Sequence, residues 1–131
     1  MTSISGRNDW QVERLAGALG AEVCGVNLAS ADDRDVAAIK KLLNEHMVLF
    51  FPAQHLTVAQ HVEFGRHFGP LDGHPNLKNP FTDHPELFEL AASEGGIADE
   101  WHTDLTFLPE PSLMSILHMV KCPDTGGDTM W

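Results

Sequence analysis

Helical periodicity occupies one stretch of this 131-residue chain, roughly residues 32 to 68, and it is broken once. That confinement limits the fold more than any other feature. The spacing predicts a helix over 32–46. Ser30 or Asp32 can cap it, and Asp33 and Asp35 suit the positive end of its dipole. Val36, Ile39, Leu42 and Leu43 fall on one face, as core residues do. A second helix is predicted from Thr57. Thr57-x-x-Gln60 is a capping box, Val58, Val62 and Gly65 line one side, and Phe68-Gly69-Pro70 stops it.

The remainder reads as strands and loops. The first ten residues are polar and expected to fray. Val12 to Leu28 reads as strands around Gly17, Gly20 and Gly25, with Glu22 to Leu28 alternating like a half-buried strand. Met47-Val48-Leu49-Phe50-Phe51 is a continuous apolar run ended by Pro52, hence a buried strand. Residues 69–86 are a proline-rich loop, and long loops in compact domains are more often functional than idle. Strands are expected at Leu87–Ala91 and Met114–Val120, a loop at Ser93–Asp99, and a turn at Cys122–Asp128 with Pro123 and Gly126-Gly127. The pattern suggests helices packed outside a β-sandwich or barrel. About five strands are visible where a jelly roll needs about eight. Residues 1–131 are therefore expected to be the amino-terminal part of one longer domain.

Composition narrows the partners. A formal net charge of −11 argues against a nucleic-acid backbone or an anionic membrane surface. Cys24 and Cys122 are far apart and lack metal spacing, which suits reduced thiols in a cytoplasmic protein. Met1 to Trp10 lacks the apolar core of a signal peptide, and no apolar run is long enough to span a bilayer.

The chemistry concentrates in Trp101-His102-Thr103-Asp104. In an extended segment, residues i and i+2 face the same way, so His102 and Asp104 could share one cation. They supply two of the three ligands of the 2-His-1-carboxylate triad of non-haem Fe(II) oxygenases. With eight His and ten Asp in the chain, roughly 0.6 such matches arise by chance, so the pair needs context. Two rivals fail on geometry. His61 and Glu63 lie in a predicted helix, about 200° apart. His84 and Glu86 flank a proline in a surface loop. The alternative for His102 and Asp104 is a capped turn, with both side chains bonding nearby backbone groups.

The context comes from Trp101 to Phe107 taken with Thr125-Gly126-Gly127-Asp128-Thr129-Met130-Trp131. Together these resemble the taurine dioxygenase family, Fe(II)- and 2-oxoglutarate-dependent enzymes that include alkylsulfatases and phenoxyalkanoate dioxygenases. Gly20 to Val23 and Gly25 to Leu28 resemble the family's opening strand pair, His46 to Pro52 its first core strand, and Phe64 to Pro75 a helix end and loop. The resemblance spans roughly residues 15–131. It implies a mainly β fold with flanking helices, a double-stranded β-helix or jelly roll. It implies that His102 and Asp104 bind iron, that Thr129 binds the distal carboxylate of 2-oxoglutarate, and that His74 contacts a sulfonate. It implies O2 as the second cosubstrate, with succinate and CO2 released as the substrate is hydroxylated. The distal iron His and the Arg that clamps 2-oxoglutarate are expected beyond Trp131. Lys121, the one cation after the metal motif, reads as a solvated charge. The isolated fragment is therefore expected to be inactive.

Two departures bear on the substrate. Leu77 stands where taurine enzymes carry a Tyr, and Ala98 where they carry an Asn. A site lacking those polar groups suits a more apolar acid, an alkyl sulfonate or sulfate, better than taurine. Trp101, Phe107 and Trp131 would serve as dry walls or as plain core. The expected partner is a small molecule, and a homo-oligomer is expected of the full-length chain. A zinc hydrolase or a non-catalytic jelly-roll module are the competing classes.

Overall fold

In the computed structural model, residues 2–3, 10–74, 79–91 and 100–131 are described. Their regular structure is one four-stranded mixed sheet with two α-helices. The strands are β1 (Thr2–Ser3), β2 (Gln11–Arg14), β3 (Ala21–Cys24) and β4 (Leu49–Phe50), lying side by side in that order. β1–β2 and β2–β3 are antiparallel, and β3–β4 is parallel. Val12 stands opposite Val23. These two and Ala21 are buried, which gives the sheet one apolar face. Gly20, at φ +92°, turns the chain into β3, and its carbonyl accepts from the Leu15 amide. A left-handed backbone of this kind favours glycine.

The parallel β3–β4 pair requires a crossover. It is made by a short 3-10 turn, Leu28–Ser30, and by α1 (Asp33–His46). Asp32 is the N-cap: its carboxylate accepts from the Arg34 and Asp35 amides, and Asp35 returns a bond to the Asp32 amide. Val36, Ile39 and Leu42 are buried as the spacing predicts, with Leu43 half-buried. α2 (Val58–Arg66) begins at the predicted capping box, and Val62, Phe64 and Gly65 are buried. Lys40 of α1 ties the helices together. Its ammonium donates to the His67 carbonyl at 2.8 Å and lies 5.2 Å above the Phe68 ring.

Several expected strands take another form. The apolar run 47–51 yields only Leu49–Phe50. Met47 instead caps α1 at φ +64° and is exposed, and Phe50 faces solvent while Leu49 and Phe51 pack on the core. Leu87–Ala91 and Met114–Val120 form no ladder among the described residues. The second segment keeps the two-residue period of an extended chain. Met114, Ile116 and His118 are half-buried, and Leu113, Leu117 and Met119 are exposed. Apolar alternation encodes extension and a face to bury, but a ladder also needs a neighbouring strand. Thr2–Ser3, expected to fray, pairs with β2. Ser93–Asp99 lies outside the described residues.

The core cluster runs from Val12 to Phe64, with Trp10, Leu56, Phe68 and Ile116 packed against it. The second sheet of a jelly roll is not among the described elements. No described helix is long and apolar enough to cross a membrane.

Candidate metal centre and substrate loop

The metal motif follows Glu100 in a segment without regular structure, and a turn begins at Asp104. Leu105, next to Asp104, is the one buried residue of 100–131. It adopts φ +55°, an uncommon conformation for a branched residue. The Leu108 amide bonds its carbonyl at 3.0 Å. A buried anchor with a strained backbone thus fixes the carboxylate's end of the motif.

The two donors do converge. His102 Nε2 lies 3.6 Å from Asp104 Oδ1, with both side chains about half exposed. His102 Nδ1 lies 2.7 Å from the Glu100 carbonyl oxygen. A carbonyl only accepts, so Nδ1 carries a hydrogen and Nε2 is the ring nitrogen turned to the carboxylate. Nε2 and the carboxylate oxygen can therefore either pair directly through a proton on the ring or share one cation. Two donors each about 2.1 Å from one cation can stand at most about 4.2 Å apart, and this pair meets that limit. The other carboxylate oxygen, Asp104 Oδ2, accepts from Ser115 Oγ at 2.8 Å. Both donors therefore have outer partners that leave one face free, as metal ligands commonly do. An imidazole and a carboxylate suit Fe(II). Among the described residues no group of three His, Cys, Asp or Glu is assembled.

The capped-turn alternative holds in part: His102 does bond a backbone carbonyl, but Asp104 bonds a hydroxyl eleven residues on rather than amides ahead of it. Sequence reasoning missed Ser115. A serine on the exposed face of an extended segment carries no signal of what it will touch.

The rivals go elsewhere. His61 lies in α2 and donates from Nε2 to the Ile116 carbonyl at 3.0 Å, so it braces the 114–120 segment. Its ring meets that of His118 edge-on at 5.8 Å, and His118 Nε2 donates to the Gln54 carbonyl at 3.2 Å. Burial lowers the pKa of His61, opposed by its bond to Ile116 and aided by repulsion from His118. Glu86 pairs with Arg66 at 3.3 Å, and His84 is half-buried in a turn. Cys24 and Cys122 are free thiols. Desolvation and then the neighbouring Glu22 carboxylate push the Cys24 thiol up, away from reactivity.

His74 sits on the 69–74 segment, its ring meeting Phe88 edge-on at 5.6 Å. Gly73 beside it lets two chains pass: a Cβ there would stand 2.7 Å from the Pro85 carbonyl oxygen. Arg66, Gly69, Leu71, Gly73, Pro85 and Glu86 are among the residues around an open cavity of about 550 Å³ next to this loop. Thr129 is exposed and follows Gly126 and Gly127, both at positive φ. No hydrogen bond joins it to His102 or Asp104 among the described residues. Trp101, Phe107 and Trp131, expected as dry walls or core, are exposed, Trp101 at 77%. Each lies in a segment that pairs with no strand among the described residues. Leu77 and Ala98 lie outside the described residues.

An imidazole–carboxylate pair thus follows a small mixed sheet with a helical crossover. The family described as taurine catabolism dioxygenase, TauD and TfdA, matches residues 11–131, and the chain belongs to it. It is 40% identical over 124 residues to an alkylsulfatase of Acinetobacter baylyi, covering 92% of this chain and 38% of that protein. It is 38% identical over 123 residues to an alpha-ketoglutarate-dependent sulfate ester dioxygenase of Pseudomonas putida, covering 92% of this chain and 40% of that one. The crystal structure of a taurine dioxygenase from Burkholderia xenovorans superposes with a TM-score of 0.54 at 41% identity, covering 60% of this chain and 29% of that one. The chain thus spans about two fifths of the length of the curated relatives it matches.

Proposed function

We propose that this chain is the amino-terminal part of an Fe(II)- and 2-oxoglutarate-dependent dioxygenase that hydroxylates a small organic acid, an alkyl sulfate or alkyl sulfonate. The observation that carries the reading is the His102–Asp104 pair, 3.6 Å apart with its donor atoms facing each other. Similarity to an alkylsulfatase and to a sulfate ester dioxygenase supports the substrate class. In this reading the domain is a jelly roll completed beyond residue 131. That part brings the second iron His and the Arg for 2-oxoglutarate, and the whole is a cytoplasmic homo-oligomer.

The chain's own residues have separate tasks. His102, with its hydrogen held on Nδ1 by Glu100, offers Nε2 to iron, and Asp104 offers Oδ1. Bound iron with 2-oxoglutarate and O2 supplies the oxidising chemistry. Thr129 donates its hydroxyl to the distal carboxylate of 2-oxoglutarate. His74 donates an N–H to the sulfate or sulfonate, an acceptor-only group. The sequence carries Leu77 and Ala98 where taurine enzymes carry a Tyr and an Asn, which disfavours a polar-ended acid such as taurine.

The test uses full-length enzyme with Fe(II), 2-oxoglutarate and O2. Succinate release is expected to be faster with a medium-chain alkyl sulfate than with taurine. Changing His74→Ala should raise KM for the alkyl sulfate, with a smaller effect on KM for 2-oxoglutarate. Preference for taurine would contradict the substrate class, and no succinate with any sulfur ester or sulfonate would contradict the activity.

A further inference from the structure

We propose that Ser115 is a positioning residue for the iron site, fixing the rotation of the Asp104 carboxylate so that one oxygen faces the metal. The proposal rests on the iron reading given above. Ser115 Oγ donates to Asp104 Oδ2 at 2.8 Å, while Oδ1 is the oxygen that lies 3.6 Å from His102 Nε2. A carboxylate on a half-exposed side chain can rotate about its Cβ–Cγ bond and turn both oxygens away from the imidazole. A hydroxyl on one oxygen removes that freedom and leaves the other aimed at the imidazole.

The hydroxyl is itself held. Ile116, the next residue, packs on the core and accepts from His61 of α2 at 3.0 Å. His118, two further on, bonds the Gln54 carbonyl at 3.2 Å. The Gln54 side chain in turn bonds the Leu28 amide at 2.9 Å and the Val26 carbonyl at 3.0 Å. In an extended segment the side chains of 116 and 118 turn inward and that of 115 turns out. Here that outward direction carries Ser115 to Asp104. The route from core to metal motif is therefore Gln54 and His61, then the 115–118 segment, then the Ser115 hydroxyl. Outer partners of metal ligands commonly change metal affinity by about 10–100-fold.

The experiment measures Fe(II) affinity anaerobically by calorimetry on full-length metal-free protein, alongside thermal unfolding. Ser115→Ala is expected to weaken Fe(II) binding about tenfold with little change in metal-free melting, because the bond is exposed. Ser115→Thr, which keeps the hydroxyl, is expected to restore affinity. Equal affinity in wild type and S115A, with binding lost in Asp104→Ala, would overturn the role of Ser115 and leave the iron site standing. Weak binding by both S115A and S115T would overturn it too, since the hydroxyl would not be the cause. Unchanged binding in D104A would overturn the iron reading and the proposal together.

Discussion

His61 is informative because its environment sets a pH response. Burial lowers its pKa in the folded protein, and His118 adds repulsion. The unfolded chain titrates it near the ordinary value of about 6.5. Below that pH the unfolded state therefore binds more protons at this site, and folding weakens as pH falls toward the folded pKa. Above it the site has no effect on pH dependence. Thermal melting of the full-length protein from pH 7.5 to pH 5 is expected to fall less steeply in His61→Gln than in wild type. Glutamine can still donate to the Ile116 carbonyl but takes up no proton. Identical slopes would assign the acid sensitivity elsewhere. At this same scale, His102 and Asp104 could be singled out in the sequence because two coordinating groups at i and i+2 are a local pattern. Ser115 could not, since its bond to Asp104 spans eleven residues and depends on how the 114–120 segment is anchored.

At the scale of elements, the two helices follow from local chemistry. Both capping boxes are formed as their residues dictate, Asp32 with Asp35 and Thr57 with Gln60. Asp32→Ala and Thr57→Ala are each expected to lower stability by about 1 kcal/mol, measured by denaturant unfolding of the full-length protein. No change in either would mean that the side-chain caps contribute nothing beyond solvent. The strands were less legible. Ala21–Cys24 falls inside the region read as strands, between Gly20 and Gly25, and Gln11–Arg14 begins one residue before that region. The 47–51 run was overextended, because Met47 serves as the helix cap and only Leu49 and Phe50 pair with β3. Residues 87–91 and 114–120 have strand-like sequences without a ladder among the described residues. Pairing depends on a distant partner, which local alternation does not specify.

Across the whole molecule, packing and chemistry occupy different halves. The buried cluster is drawn from residues 12–64, whereas the metal motif and Thr129 lie on largely exposed chain. The motif reaches the core through few contacts: buried Leu105, Ile116 against the cluster, and the His61 and His118 bonds. The family was legible because its motifs are short and ordered along the chain, and the match over residues 11–131 agrees. The jelly roll is implied only through that resemblance, and the described residues hold one small sheet. The central claim is that His102 and Asp104 hold an iron that also binds 2-oxoglutarate. The most direct measurement is the visible charge-transfer absorption of anaerobic full-length protein loaded with Fe(II) and 2-oxoglutarate. The band is expected in wild type and absent in His102→Ala and Asp104→Ala. Its absence from wild type at saturating iron, or its persistence in both variants, would contradict the account.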